Sequence, residues 1–573
     1  PKPFTMQDTL ELYQKILGKF KSIHANTIQV TNGTLLMTNK TSEAQTSFEN
    51  INITLNNFLV DDTKDYKNIA SYFIKDVRAT VENIQLPASK KDTRINFEKV
   101  DYNAAKRYLH IVAIKQYNLN NMNPVTDLKN IQVNELNTDA FILQQQLRAG
   151  QITCDGGVVT VYTTKKKGST KATDQTLELS TDMIDQARIG GIDLKSTKLI
   201  IADKANPGKE PFILNNVNFK VTKMLKIDEG TTVSNIINHA EWEFSANGFL
   251  LNTTSKLYKM RMGDFVVNNA ASSIKVKNFF LTPSVSEQQF GKLNRFQKDQ
   301  YNLAVNNIIL SGVNFSKLIS KNEFEVENAS FQPIIKIFND RTLPSPGKSK
   351  VGKYPQQQIL KLPFPIYIHT AKINNALVSY REKAVKSKLT GNVFFNNINA
   401  TLTNITNIPE RIKANDQLKL NATAKFLGTT NLTTEWQFPL NVSNGAFKIT
   451  GHMGDMNAPE LNPIIEPLAM ASVKEGKIDE INFTLDGMDT NAHGNVLFLY
   501  HDLKLDILKK EEDTGFKKKG LVSLLANAII KNANTNRSNS KVVDYKRDTT
   551  RSFFNLVWKS IFTGAKNTAI GKK

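Results

Sequence analysis

For most of its length this chain sets apolar residues at every second position, and that period limits what it can fold into. Ile213, Val217, Phe219, Val221, Leu225 and Ile227 share one parity, while Lys220, Thr222 and Lys226 keep the other. Leu303, Val305, Ile309, Val313 and Phe315 repeat the pattern, as do Leu503, Leu505 and Ile507. Each such strand has one apolar and one wetter face. The expected fold class is therefore mainly β: a long, curved antiparallel sheet or β-groove with a few covering helices and helical termini. Val217, Phe219, Val221 and Leu225, with Val305, Ile309, Val313 and Phe315, are the candidate residues for its groove-facing or core side.

The strands share loosely related wording: NNFLVDD, LNNVNFKVTKM, VNNIILSGVNF and INNALVSY. Asn pairs at 215–216, 268–269, 306–307 and 374–375 fit turns or bulges, because Asn tolerates left-handed backbone geometry. HANTIQVTNGTLLMTN reads as two strands around an Asn32-Gly33 turn. No βαβ rhythm is present, which argues against a doubly wound enzyme fold. A diverged strand–turn unit, repeated without a fixed period, suits an extended sheet or solenoid better than a closed sandwich.

Helical spacing is confined to a few places. Met6, Leu10, Tyr13, Leu17 and Phe20 predict an amphipathic helix within residues 1–27. Interruptions are expected at Asp101 to Lys115, Val285 to Phe296 and Leu461 to Met470. Leu521, Leu524, Leu525, Ala528 and Ile529 form another apolar stripe. Near the C-terminus, Phe554, Val557, Trp558 and Ile561 mark one face of a final helix, a candidate docking face toward the sheet, a membrane or a partner. The Pro-, Gly-, Ser- and Lys-rich stretch at 339–359 predicts an exposed loop or linker. The expected organisation is a β-groove region at 28–338, that linker, a second β-region at 360–510 and a helical end-piece at 511–573.

With 573 residues, the chain exceeds the usual size of one domain. Its net charge of +21 favours anionic surroundings. Nucleic acid is not the expected partner, because clusters such as Lys165–Lys167 and Lys517–Lys519 are short and scattered. Cys154, the single cysteine, permits no intrachain disulfide and reads as a small buried hydrophobe. No run of eighteen apolar residues predicts a bilayer-spanning helix. Catalytic signatures are absent: there is no HExxH, no GxSxG and no phosphate-binding glycine pattern. The seven histidines are dispersed, and Gly150, Gly156-Gly157 and Gly190-Gly191 fit bulges or tight turns. Neither an enzyme nor a metal centre is expected.

Leu461 to Lys510 resembles the C-terminal region of bacterial AsmA-like proteins. The matching pieces are a Gly476-Lys477-Ile478 turn with the strand Ile481-Asn482-Phe483, then Gly487 ahead of Ala492-His493-Gly494, and Leu499 to Leu505. Arg547 to Gly564, RDTTRSFFNLVWKSIFTG, is similar to the ending common among members from Bacteroidota. Together these cover the last quarter of the chain. The resemblance implies a periplasmic envelope protein held in the inner membrane by an N-terminal helix absent from this sequence. It also implies a bridge-like groove concerned with phospholipid transport and outer-membrane homeostasis. No catalytic residue or cofactor is implied. Membrane lipids, with phospholipid as the groove's ligand, and an envelope protein complex are the implied partners. The rival expectation is an elongated β-scaffold bracing an outer-membrane or secretion complex.

Overall fold

The computed structural model describes residues 11, 14–38, 45–61, 77–87, 93–118, 124–138, 140, 146–163, 186–203, 206, 208, 210–228, 231, 235, 238–253, 255–511, 515–519 and 530–571. With 61% strand against 14% helix, the protein is mainly β. It divides into two compact units. The first holds residues 1–249, 264–272 and 319–321; the second holds 250–263, 273–318 and 322–573. That division falls near residue 250, and the segment 339–359 lies inside the second unit.

In the first unit the strands are β1 (Ser22–Thr38), β2 (Gln45–Asp61), β3 (Val77–Pro87), β4 (Thr93–Asn103), β5 (Tyr108–Asn118) and β6 (Pro124–Asn134). They continue through β7 (Gln146–Thr163), β8 (Gln186–Asp203), β9 (Phe212–Val221), β10 (Leu225–Ile227) and β11 (Trp242–Ala246). After β12 (Phe249–Asn252) and β13 (Tyr258–Met262), the first unit adds β14 (Phe265–Asn268). Neighbours in sequence pair from β1 through β9, then β9 pairs β11 and β11 pairs β14.

The second unit runs through β13, β15 (Ser273–Pro283), β16 (Gln300–Ser311), β17 (Phe324–Asp340), β18 (Ile366–Lys383) and β19 (Thr390–Thr406). It continues with β20 (Gln417–Phe426), β21 (Thr430–Pro439), β22 (Phe447–Met453), β23 (Met456–Asn457), β24 (Ala471–Gly487), β25 (Asn491–Glu511), β26 (Gly515–Lys518) and β27 (Lys541–Lys546). The expectation of an all-antiparallel sheet needs one correction per unit. β7 and β8 pair in parallel, as do β17 and β18. A parallel pair needs a long connection, and 22 residues separate β7 from β8 and 25 separate β17 from β18.

The repeated Asn wording is a repeated β-bulge. Asn83, Asn130, Asn216, Asn307, Asn375 and Asn397 all sit inside strands with φ between 47° and 51°. Each is the third residue of a four-residue step of apolar, any, Asn, apolar, as in Leu214-Asn215-Asn216-Val217 and Val305-Asn306-Asn307-Ile308. The extra residue lets side chains three apart share a face. Thus Leu214 and Val217 are both buried although their parities differ. Three pairs of left-handed strand residues, Asn32 with Asn50, Ser196 with Asn216 and Asn375 with Asn397, are clamped in the same way. The Asn32 amide donates to Asn52 Oδ1 at 3.2 Å, and Asn52 Nδ2 donates to the Asn50 carbonyl at 2.8 Å. Ser196 with Asn218 and Asn216, and Asn375 with Asn399 and Asn397, repeat both bonds.

The bulge explains two misreadings. Asn32-Gly33 is no hairpin turn: β1 runs straight through it with a register shift against β2. Gly476-Lys477-Ile478 likewise lies within β24, where the register slips, and is not a turn. A β-branched residue strains the left-handed conformation, whereas Gly does not. Asn307→Val should therefore cost about 1–2 kcal/mol in urea denaturation, and Asn307→Gly within about 0.5 kcal/mol of the parent. Equal losses would place the cost in the Asn307–Gln332 side-chain bond instead.

Six α-helices have both ends among the described residues: α1 (Glu287–Asn294), α2 (Phe315–Lys321), α3 (Pro355–Leu360), α4 (Pro409–Ala414), α5 (Asn462–Ala469) and α6 (Phe553–Ala569). α1 and α5 form where helical interruptions are expected. α1 starts at a capping box, with the Ser286 side chain accepting from the Gln289 amide. Asp101 to Lys115 is not helical; it holds the end of β4, a turn closed by Arg107 N–H to the Ala104 carbonyl, and most of β5. Of the N-terminal helix, residues 11 and 14–17 are described as helical, and Ile16 and Leu17 pack near Phe58. Met6, Leu10 and Tyr13 lie outside the described residues, as do Leu521 to Ile529 and Lys165–Lys167. The segment 339–359 is not exposed throughout. Asn339 and Asp340 finish β17, and Tyr354, Gln356 and Gln357 are buried.

Candidate functional site

Pairing register places apolar residues of the first unit in continuous rows. One row runs Val81–Val100–Ile111–Ile131–Cys154–Leu194–Phe219–Phe244–Val267 across β3 to β9, β11 and β14. A second runs Tyr102–Leu109–Val133–Ile152–Ile192–Val221–Trp242. Between them, pointing to the opposite face, lies a polar row: Thr80–Asp101–His110–Gln132–Thr153–Asp193–Lys220–Glu243. Its members bond one another, as where Thr80 Oγ1 donates to Asp101 Oδ1 at 2.8 Å. The sheet is thus amphipathic in the direction across its strands as well as along them.

Among the described residues the first row is packed from within the sheet, whereas Leu136 and Ala240, both outside the strands, pack against parts of the second. Ile111, Ile131 and Cys154 are buried against Phe97, Val100, Leu109, Ile114, Leu128, Ile152 and Leu194, all of them residues of β4 to β8. Neighbouring side chains bury one another sideways, leaving Phe97, Ile114 and Leu194 half-buried. A face of this composition loses free energy to water unless something apolar lies on it. Burial pushes the Cys154 thiol upward, which keeps it protonated and suits a packing role. Gly157, at φ 126°, lets β7 approach β6: a Cβ there would lie 2.2 Å from the Asp127 carbonyl oxygen.

The sequence-derived face residues divide. Val221 and Leu225 are buried with Ala187, Ile189 and Ala240, and Phe219 packs beside them, its ring 6.4 Å from Trp242. Val217 belongs to a separate cluster with Leu214 and Ala246. In the second unit, Val305 sits between Phe279 and Pro333. Ile309 does not share its face. The Asn307 bulge gives that place to Ile308 and leaves Ile309 44% exposed. Val313 follows the end of β16, and Phe315 opens α2, so neither lies on a strand.

The second unit has its own apolar row, Met260–Leu281–Leu303–Ile335–Val378–Phe395–Phe426. Here the two ends differ. Met260, Leu281 and Leu303 are half-buried, whereas Phe426 is buried among Met453, Ile464 of α5, Ile478 and Tyr500, with Ala565 and Ala569 of α6 beside them. A neighbouring cluster joins Tyr354, Phe447, Ile449, Leu485, Val496 and Val543 to Phe553, Leu556 and Val557 of α6. Side chains therefore fill the C-terminal end. Across β18 to β25 a cavity of about 810 Å³ has a mixed lining: polar groups in register, Lys372–Thr401–Asn421–Glu435–Thr450–Thr484–Asn495, alternate with Ile373, Ala400, Ala422 and Phe483.

The predicted docking face also divides. Phe554 and Trp558 are exposed, but Val557 is buried and Ile561 packs against the same core. Gly564 permits that packing, since a Cβ there would meet Val496 Cβ at 2.4 Å.

Sequence reasoning missed Arg547, whose guanidinium is buried at the base of α6. Its Nη1 donates to the Asp489 carbonyl at 2.8 Å, and its Nη2 to the carbonyls of Lys350 at 3.1 Å and Arg551 at 2.9 Å. The guanidinium carbon stands 4.6 Å from the Tyr354 ring centroid. Burial pushes the Tyr354 hydroxyl up to about 12, so it stays a neutral donor to the Met488 carbonyl.

Among the described residues no group of three or more His, Cys, Asp or Glu could hold a metal ion, and no helix is long and apolar enough to cross a membrane. No family model, curated protein or solved structure matches the chain.

Proposed function

We propose that this protein is a groove-type lipid carrier of the bacterial envelope, which shields phospholipid acyl chains along the apolar face of its first unit. The observation that carries this reading is the unbroken apolar row from Val81 to Val267, set against a polar row on the opposite face. Each acyl CH₂ removed from water there contributes roughly 0.8 kcal/mol. Spreading contacts over many equivalent strands gives a path without one deep trap. The AsmA-like wording of the C-terminal quarter supports the same reading, along with a periplasmic location and an inner-membrane anchor. The net charge of +21 favours anionic headgroups at a hydrated edge.

The side-chain-filled end of the second unit supports a subsidiary role as a scaffold. A packed core around α5 and α6 has no room for acyl chains and serves as a rigid terminus for a membrane or an envelope complex.

Photo-crosslinking separates the faces of the first unit. A diazirine side chain at Phe97 or Ile114 should capture phospholipid in cells. The same group at Asn96 or Lys115, adjacent in sequence and on the other face, should not. Equal capture at all four positions would sink the carrier reading.

A further inference from the structure

α6 has two faces of opposite fate. Phe553, Leu556, Val557, Ser560, Gly564 and Thr568 are buried against the sheet. On the other side Phe554 is 63% exposed, Trp558 39% and Phe562 42%, at successive spacings of four residues, with exposed Lys566 continuing the line. That spacing aligns them along one stripe of the helix. The Trp558 and Phe562 rings stack at 6.3 Å, and Lys559 Nζ lies 5.7 Å from the Phe562 centroid. Phe554 is braced from behind by Phe553 at 5.4 Å and Trp436 at 6.4 Å. The stripe is thus held rigid on a packed base with its aromatics facing water.

Charge identifies what covers it. From Arg551 to Lys573 the chain carries Arg551, Lys559, Lys566, Lys572 and Lys573 and no Asp or Glu. Arg551 is engaged by Asp548 at 3.4 Å, which leaves Lys559 and Lys566 as the exposed charges beside the aromatics. A second copy seated here would bring like charges together around the rings. Aromatic rings with flanking ammonium groups match the interfacial layer of an anionic bilayer, where rings lie at headgroup depth and Lys pairs with phosphate. A helix lying in the membrane plane needs no spanning length.

We propose that the stripe Phe554–Trp558–Phe562, with Lys559 and Lys566, docks the second unit onto an anionic phospholipid surface. This does not depend on the first unit carrying lipid. The test is flotation of the full chain with phosphatidylcholine vesicles, with and without phosphatidylglycerol. The unaltered protein should float with the anionic vesicles and weakly with the neutral ones. Phe554→Ser/Trp558→Ser/Phe562→Ser should reduce anionic binding at least about tenfold, and so should Lys559→Glu/Lys566→Glu, which changes only exposed charge and preserves the fold. Binding that is indifferent to vesicle charge would overturn the proposal, as would unchanged flotation of either α6 variant. So would a dimer, seen by sedimentation in the unaltered protein and lost in the triple variant, which would assign the stripe to a second copy.

Discussion

Arg547→Ala should destabilise the second unit by about 3–5 kcal/mol, the range for stripping one partner from a buried ion pair. Arg547 is 5% exposed and Asp489 7% exposed, so neither group has water to fall back on. The substitution would leave the Asp489 carboxylate with the Gln357 side chain at 2.8 Å and the Gly352 amide at 3.2 Å as its remaining donors. It would also strip a donor from the carbonyls of Asp489, Lys350 and Arg551. Those carbonyls come from three separate segments, so one side chain ties the 350 loop, the β24–β25 turn and the start of α6 together. Arg547→Lys retains charge but a single ammonium cannot span the fork, and an intermediate loss is expected. Urea denaturation gives the magnitude, and limited proteolysis should release the end-piece early in the Ala variant. A loss below about 1 kcal/mol would show that the tail is held by the Phe553, Leu556 and Val557 packing alone.

The second large effect concerns cargo. Ile114→Lys/Leu194→Lys sets two ammonium groups among Phe97, Leu128 and Ile131, where no carboxylate belongs to the cluster. An acyl chain lying on that face would have to share it with unpaired charge, a cost of several kcal/mol. Phospholipid recovered with the protein should fall at least about tenfold. Gln132→Lys, in the polar row on the opposite face, adds charge without touching the cluster and should leave lipid content unchanged. If both variants retained the parent's lipid, the apolar face would not be its site.

How far the sequence predicts this structure depends on whether a signal is local. Alternation is local, and it identifies the β class and the strands around Val217 and Val305. The bulge hides within it: a strict period of two puts Ile309 with Val305, and only the left-handed Asn307 moves Ile308 into that place. The wording Leu-Asn-Asn-Val and Val-Asn-Asn-Ile contains this signal, since apolar residues three apart around Asn fit a bulge better than a turn. Tyr108 to Ile114 misleads for another reason. YLHIVAI is a nearly continuous apolar run, and periodicity alone does not separate strand from helix there. The final helix is legible, but its orientation is set by Val496 and Val543, so which half faces solvent is a tertiary fact. Arg547 is the least legible, because its partners Asp489 and Lys350 lie 58 and 197 residues away.

Acyl chains held on the first unit's apolar face should survive gentle purification and be recovered by lipid extraction of the protein. Mass spectrometry of the organic phase should recover phospholipid in stoichiometric excess over a control protein purified alongside. Protein that emerges free of phospholipid from every one of several mild detergents would contradict the carrier reading.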